Sequence, residues 1–337
     1  MKHPDRPAPG VQHRADILIV GAGMAGLTAA SELQQSGHNV IVFDKGPGVG
    51  GRLASRRIGP ATFDYGAQFM TARAPRFADA IDEWRRIGVV EEWYRNPAQG
   101  TEGHPRWRGK PAMAAVAKHL ARSLNVRLGE RIMLVRRDVA GWVAALENGE
   151  TVCAGAVLLT PPVPQSLAVL DAGLVEMPPA ERARLESIEY DPCLAVMLVL
   201  DGPSRMPPPG GLSPREGPIA WIADNQMKGA SATPAVTIHA TAAFSREHWD
   251  RDRRESVRQL LRAAEPWLGS EVTEFQVHDW RYSKPIRTDE SPCLVLSQSP
   301  PLVLAGDAFA GPRLEGAVVS GWAAADVLKR PDRDSDP

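Results

Sequence analysis

Three glycines followed by an acid are the residues whose types and spacing most clearly indicate chemistry. Gly21, Gly23 and Gly26 come after the apolar run 17–20 and open a helical pattern, and Asp44 follows a second apolar run at 39–43. Glycines at such a turn let the backbone approach a pyrophosphate, which the helix N-terminus binds, and the acid can bind a ribose hydroxyl. The pattern predicts a dinucleotide site formed by Gly21, Ala22, Gly23, Met24, Ala25, Gly26, Asp44 and Lys45.

Two distant segments indicate which dinucleotide this is. Gly50-Gly51-Arg52 resembles the second loop of the glutathione-reductase-like flavoproteins, where small residues and an arginine enclose the FAD diphosphate. The strand ending in Gly306-Asp307 precedes a helix, and in those flavoproteins the matching acid and helix N-terminus face the ribityl chain and the pyrimidine. We therefore expect FAD rather than NAD, with further ligands among Gly51, Arg52, Gln68, Thr160, Asp307, Glu315, Gly316 and Ala317.

The elements needed to position these residues predict an α/β fold. We expect a glutathione-reductase-like FAD-binding Rossmann domain with a discontinuous mixed α+β substrate domain, since 337 residues suffice for about two domains. The FAD-binding domain is assigned to residues 15–72, 125–165 and 301–329. The substrate domain takes residues 73–124 and 166–300, with a flexible leader at 1–14 and a tail at 330–337.

Periodicity supplies the remaining elements. A meander is predicted from strands at 131–136, 141–146 and 151–153, with Asn148-Gly149 as a hairpin turn, and a further strand at 156–160. Apolar residues at helical spacing predict two helices, around 77–87 and 113–124. Strands at 193–200, 218–223 and 235–241 are expected to form a sheet over the flavin.

Composition argues against several partners. The net charge is −1 and basic residues alternate with acids, so no nucleic-acid partner is indicated. The three cysteines show no paired spacing, which favours reduced thiols and a cytoplasmic setting. His239, His248 and His278 are too scattered to suggest a metal site. The first apolar run carries the glycines, so we predict neither a signal peptide nor a membrane span.

Across residues 15–329 the sequence resembles the bacterial renalase-like branch of the amine-oxidase flavoproteins. The resemblance rests on the glycine motifs and on segments 66–73, 106–113, 160–165, 239–241, 278–282 and 315–317. The chain departs from that pattern at three positions. Asp279 stands where the family commonly has Arg, Ala308 where Trp is usual, and Pro312 in place of a glycine. These departures leave the exact substrate open.

The resemblance implies an FAD-dependent oxidase that takes hydride from 2- or 6-dihydro-NAD(P) and reduces molecular oxygen to hydrogen peroxide. It implies noncovalent FAD, and substrate contacts from Phe69, Met70, Thr71, Ala72, Arg73, His239 and Trp280, with Trp107 and Lys110 at the entrance. No general base is assigned, because the flavin itself accepts hydride.

Two other functions stay open at this point. One is an amine-oxidase or desaturase-type enzyme acting on a small amine or secondary metabolite. Enzymes that oxidise free amines commonly hold a lysine near the flavin, and Lys284 is the candidate here, although a surface position is expected for it. The other is a flavin-bound redox sensor without turnover. The sequence leaves the dihydro isomer, the electron acceptor and the oligomeric state undetermined.

Overall fold

Two β-sheets with helices on their faces organise the chain. The computed structural model of this protein describes residues 11–96 and 103–329. Its strands are β1 Val11–Val20, β2 Val40–Asp44, β3 Ser55–Ile58, β4 Ala61–Asp64, β5 Val90–Asn96, β6 His104–Gly109, β7 Asn125–Leu128, β8 Ile132–Asp138, β9 Gly141–Leu146, β10 Thr151–Leu159, β11 Tyr190–Leu200, β12 Gly211–Leu212, β13 Ile219–Asp224, β14 Ala235–Ala240, β15 Val272–Pro285, β16 Leu294–Gln298 and β17 Pro301–Leu304. Its α-helices are α1 Met24–Gln35, α2 Pro75–Arg86, α3 Ala114–Ala121, α4 Val163–Ala172, α5 Pro179–Glu186, α6 Ala242–Glu247, α7 Arg253–Leu268 and α8 Leu314–Leu328.

The larger sheet has the strand order β16-β17-β10-β1-β2-β7, and β17, β10, β1, β2 and β7 run parallel. The central strands are apolar and buried on both faces, as parallel strands between helical layers require. β8, β9 and β10 form the predicted meander. The segments at 151–153 and 156–160, predicted as separate strands, form the single strand β10.

The first strand begins earlier than the sequence predicted. β1 starts at Val11, so residues 11–14, which were assigned to a leader, belong to the sheet. They pair in parallel with β10, for example Arg14 with Cys153. These residues carry no apolar pattern that predicts a strand. They pair with β10, which lies far along the chain. Residues 1–10 of that leader and the tail at 330–337 lie outside the described residues.

Helices α1 and α8 pack closely on one face of the larger sheet. A Cβ at Gly321 of α8 would lie 2.4 Å from the carbonyl oxygen of Ala25, so the glycine allows this contact. Leu27, Leu33 and Val318 are fully buried in the same core. The two helices thereby bring the glycine turn before α1 and the N-terminus of α8 to one edge of the sheet.

The smaller sheet is antiparallel, in the order β12-β13-β14-β11-β15. Its three predicted strands are present, and α6 and α7 cover one face through Phe244, Leu260 and Leu268. Its other face meets the β3–β4 hairpin at Phe63, Tyr65 and Met197. The predicted helices at 77–87 and 113–124 correspond to α2 and α3. No helix in the described part of the chain is both long and apolar enough to cross a membrane.

Candidate functional site

In the glycine turn, Gly21 and Gly26 are required by the packing of the protein itself, whereas Gly23 is not. A Cβ at Gly26 would lie 2.0 Å from the carbonyl oxygen of Gly21, and one at Gly21 would lie 2.5 Å from Oγ1 of Thr160. Gly21 also has a φ of +102°, which favours glycine. A Cβ at Gly23 would meet no atom within 4 Å. Since Gly23 precedes α1 and no side chain caps it, this helix N-terminus is open to an anion.

Asp44 lies against this turn. Its carboxylate accepts one hydrogen bond from the Ala22 N–H and one from the Gly46 N–H, both of 2.7 Å. Lys45 points away and donates to Oε1 of Gln165 at 3.0 Å, and burial lowers the pKa of this lysine. Thr160, at the end of β10, donates from its hydroxyl to the Val20 carbonyl at 2.9 Å. These contacts fix the shape of the turn.

Arg52 connects the second glycine-rich loop to the C-terminal segment. Its guanidinium donates two hydrogen bonds of 2.7 Å to the two carboxylate oxygens of Asp307. A third, of 3.3 Å, goes to the Ser283 carbonyl at the end of β15. The loop itself is held to the glycine turn, because the Gly50 N–H donates to the Ala22 carbonyl at 2.8 Å. Three segments distant in sequence therefore meet at the site predicted for a flavin dinucleotide.

Gln68 presents an unsatisfied acceptor in the same region. The side chain is buried, and its Nε2 donates to the carbonyls of Asp64 at 2.6 Å and Gly66 at 3.1 Å. Two carbonyl partners assign the nitrogen, so the amide orientation is determined. The buried Oε1 has no hydrogen-bond partner among the described residues. A buried acceptor without a partner is costly, and a bound group carrying an N–H would satisfy it.

Glu315, in the first turn of α8, is tied to the segment predicted to contact substrate. Its Oε1 accepts hydrogen bonds of 2.6 Å from the backbone N–H groups of Arg73 and Ala74. Ala74 precedes α2, so one carboxylate connects the N-terminal ends of α2 and α8. A Cβ at Gly316 would lie 2.0 Å from the Gly311 carbonyl, and the Ala317 N–H donates to the Arg313 carbonyl, so both residues shape this helix start.

A cavity of about 420 Å³ opens between these two helix ends. Phe69, Met70, Thr71, Ala72 and Arg73, the segment expected to contact substrate, line it together. The other lining residues come from the segment after β4, from β6, from the end of β15 and from the start of α8; they are Ala67, His104, Arg106, Lys284, Pro312, Arg313, Leu314 and Glu315.

The cavity lining is strongly basic. Arg73, Arg106, Lys284 and Arg313 contribute four positive charges, and His104 adds an imidazole. In the ranges 11–96 and 103–329, none of these four side chains forms an ion pair with a carboxylate. The acidic lining residue is Glu315, whose Oε1 already accepts two backbone hydrogen bonds. The cavity therefore favours an anionic ligand.

An aromatic wall supports one side of the cavity. The ring of Phe69 lies 5.6 Å from that of Trp221 and 6.5 Å from that of Trp93. The neighbouring residue Met70 exchanges backbone hydrogen bonds of 2.7 and 2.9 Å with Trp107, which ties the substrate segment to β6. Trp107 packs against the core under α1 rather than lining the cavity, and Lys110 pairs with Glu91.

His239 and Trp280, both predicted to contact substrate, do not line this cavity. Nε2 of His239 and Nε1 of Trp280 each lie 3.0 Å from the carbonyl oxygen of Tyr65. Burial lowers the pKa of His239 to about 4, so its imidazole is neutral at pH 7. The two side chains hold the strand end that leads to Gln68, because they satisfy a buried carbonyl.

Of the three departures from the family pattern, one reaches the cavity. Pro312 lines it. Asp279 forms an ion pair of 2.7 Å with Arg253, and Ala308 is buried in the core on the other face of the larger sheet.

Sequence reasoning did not select His104, Arg106 or Arg313 as site residues, and it expected Lys284 on the surface. Lys284 is exposed and also lines the cavity. A signal was present in β6, where His104, Arg106 and Arg108 alternate with other residues, so that the three basic side chains belong to one face of the strand.

Comparisons with known proteins agree with this arrangement. Residues 19–84 match the family model of NAD(P)-binding Rossmann-like domains, and residues 92–329 match that of flavin containing amine oxidoreductases. A putative flavin-containing monoamine oxidase, AofH of Mycobacterium tuberculosis, is 46% identical over 149 residues, which cover 36% of this chain and 33% of that protein. The match thus spans about a third of the relative's length.

Two solved structures share the fold. A putrescine oxidase mutant, made by redesign of cofactor binding, superposes with a TM-score of 0.72 at 16% identity, covering 95% of this chain and 100% of the other. A putative protoporphyrinogen oxidase from Exiguobacterium sp. 255-15 gives a TM-score of 0.71 at 13% identity, covering 95% and 99%. At these identities the likeness concerns the fold alone.

Proposed function

Since this chain belongs to the flavin containing amine oxidoreductase family and has FAD as its cofactor, we propose that it oxidises 2- or 6-dihydro isomers of NAD(P). In this reaction one hydride and one proton pass to molecular oxygen, giving NAD(P)+ and hydrogen peroxide. The observation that carries the proposal is the cavity beside the FAD site, whose lining has four positive charges and one engaged carboxylate.

The residues present fit FAD. In this proposal the open space at Gly23 and the N-terminus of α1 hold the diphosphate, and Asp44 binds a ribose hydroxyl. The free Oε1 of Gln68 accepts a hydrogen bond from the flavin, and the α8 N-terminus stabilises negative charge on it. Arg52 and Asp307 hold the surrounding loops together. In this proposal the FAD-binding part comprises residues 15–72, 125–165 and 301–329, whose strands share the larger sheet except for the β3–β4 hairpin.

Binding is proposed to be noncovalent. Cys293, the cysteine considered for attachment, packs against the core under α1 and α8 and does not line the cavity. Burial also raises the pKa of its thiol, which disfavours the reactive thiolate.

In this proposal the side chains of the protein exclude water and orient the substrate. When bound, FAD would supply the hydride acceptor and the route for electrons to oxygen. A dihydropyridine already carries a transferable hydride and a ring nitrogen lone pair, so no protein base is needed to activate it. Phe69 and its tryptophan neighbours exclude water from one wall, and the segment 69–73 orients the ring. The position of the hydride-donating carbon relative to the flavin matters most, since a misplacement of about 1 Å lowers the rate roughly 100-fold.

Oxidation of a small amine is the second candidate. The position of Lys284 in the cavity lining favours it, because amine-oxidising flavoenzymes commonly hold a lysine near the flavin. The charge of the cavity opposes it, since a protonated amine would enter a described lining with four positive charges and a single carboxylate, Glu315, whose Oε1 already accepts two backbone hydrogen bonds.

Anaerobic rapid mixing tests the proposal directly. We expect 6-dihydro-NAD or 2-dihydro-NAD to bleach the flavin absorbance quickly, and ordinary 4-dihydro NADH to do so at least tenfold more slowly, because its donor carbon is misplaced. Arg73→Ala should slow the reduction or weaken substrate binding while FAD stays bound. Putrescine and benzylamine serve as amine controls. Bleaching by an amine and by neither isomer would show that the second candidate is correct.

A further inference from the structure

We propose that Arg106 determines substrate specificity by binding a phosphate group of the substrate. This inference rests on the proposed function for the identity of the substrate, and on the local geometry for the role of the arginine. Neither the glycine motifs nor the Phe69–Arg73 segment accounts for a basic side chain at this place in the cavity.

Packing against Phe69 limits the movement of the Arg106 guanidinium. Its central carbon lies 4.5 Å from the centroid of the Phe69 ring, so the two flat groups contact each other. Phe69 is itself held by the rings of Trp93 and Trp221. The backbone beside each partner is fixed as well, because Met70 and Trp107 exchange hydrogen bonds. An arginine oriented in this way loses little freedom when it binds a ligand.

Within the described residues, the hydrogen-bonding capacity of Arg106 is unused. Its Nε is buried without a partner there, and its terminal nitrogens form no ion pair with any described carboxylate. Arg108, two residues later on the same strand face, differs in this respect. It pairs with Glu91 and donates to the carbonyls of Pro111 and Gly229. Of the two arginines, Arg108 is structural and Arg106 is available to a ligand.

The basic residues around Arg106 favour a phosphate as its ligand. A planar guanidinium matches the oxygens of a phosphate or carboxylate with paired hydrogen bonds. Arg73, Lys284 and Arg313 line the same cavity, so a doubly charged anion is favoured over a singly charged one. The phosphates of a pyridine nucleotide satisfy this requirement, whereas a diamine does not.

Steady-state kinetics of the FAD-loaded enzyme with two substrates provide the test. The substrates are 6-dihydro-NAD and the phosphate-free 6-dihydronicotinamide riboside. The variants are Arg106→Gln, which removes the charge, Arg106→Lys, which keeps it without the planar fork, and Arg57→Gln, an exposed residue of β3 outside the cavity lining. Flavin content and thermal unfolding verify that each variant is folded and loaded.

We expect Arg106→Gln to raise KM for the nucleotide about tenfold to a hundredfold, the loss that follows from one charged hydrogen-bonded contact. The kcat for the nucleotide and the KM for the riboside should change less than threefold, and Arg57→Gln should leave all values unchanged. Arg106→Lys should recover part of the loss. Equal losses for both substrates, or no loss for either, would overturn the proposal.

A binding measurement separates this inference from the proposed function. Pyrophosphate is titrated into the oxidised holoenzyme, and the flavin absorbance reports occupancy of the neighbouring cavity. We expect Arg106→Gln to weaken pyrophosphate binding at least tenfold while Arg57→Gln does not. If the wild-type enzyme oxidises neither dihydropyridine, the proposed function is wrong, and this titration alone decides the role of Arg106. If wild type and Arg106→Gln then bind pyrophosphate with equal affinity, the phosphate-binding role of Arg106 is refuted.

Discussion

The contrast between Gly23 and Gly26 allows cofactor binding to be separated from folding. Both glycines belong to one turn, and alanine at each adds one methyl group. At Gly26 that methyl group would lie 2.0 Å from the Gly21 carbonyl oxygen and 3.0 Å from Oγ1 of Thr160. At Gly23 it would meet no protein atom within 4 Å. The two substitutions should therefore affect different properties of the protein.

The magnitudes follow from this geometry. Overpacking at Gly26 costs about 3 kcal/mol, offset by about 1 kcal/mol from the better helix propensity of alanine, so Gly26→Ala should destabilise the apoprotein by about 2 kcal/mol. Gly23 has φ −77° and ψ 179°, which alanine adopts without strain, and the loss of a favourable N-cap residue costs at most about 1 kcal/mol. A methyl group in the space assigned to the diphosphate should weaken FAD binding about tenfold or more.

Urea unfolding of the apoproteins and FAD titration followed by flavin fluorescence measure the two quantities. Gly23→Ala should keep near wild-type stability and lose FAD affinity. The reasoning would be refuted if Gly23→Ala bound FAD as tightly as wild type, since the open space would then have another cause. Gly37→Ala offers a control outside the site: a Cβ at Gly37 meets no atom within 4 Å, but its φ of +89° disfavours alanine, so this variant should lose stability and keep its FAD affinity.

Three further predictions concern single side chains. Asp44→Ala should weaken FAD binding by about 1–3 kcal/mol, measured by titration, and an unchanged dissociation constant would remove Asp44 from the site. Glu315→Ala should leave the Arg73 and Ala74 N–H groups unpaired, speeding their hydrogen exchange and lowering stability by about 1–3 kcal/mol; unchanged exchange would contradict the bridge. The pKa of His239 is about 4 in the folded chain against 6.5 as the ordinary value, so below pH 6.5 the unfolded chain binds a proton that the folded chain does not. Stability should fall by up to about 3 kcal/mol as the pH drops from 6.5 to 4, and urea unfolding of His239→Gln should show a flatter pH profile.

The sequence predicted the features that depend on short stretches of chain. The strand, glycine turn and helix at residues 17–35 are consecutive, and Gly21 and Gly26 each have a local steric reason. The parallel strands β1, β2, β10 and β17 were recognisable because burial on both faces requires continuous apolar runs, whereas the partly exposed strand β7 carries no such run. Asp44 and Asp307 were found for the same reason, since each ends or follows such a run.

Features that depend on distant pairing were not predictable. Arg106 reaches the cavity because β6 is bridged to Met70, and no local pattern reports that bridge. Residues 11–14, of which only Val11 is apolar, join the sheet through β10 without a strand pattern of their own. For His239 and Trp280, the shared partner is a backbone carbonyl, that of Tyr65, which any residue type could have supplied.

The position of β17 and α8 in the chain has a consequence for synthesis on the ribosome. β17 pairs with β10 in the middle of the sheet, and α8 packs against α1, although β1 and α1 are made first. The early strands therefore leave the ribosome before the segments that cover their apolar faces have been made. Until then their edges are unpaired, and unpaired edges promote aggregation. Expression at lower temperature, or with chaperones that shield such surfaces, should therefore raise the yield of folded protein. Added FAD should raise it less, because the cofactor does not cover the unpaired strands before β17 and α8 are made.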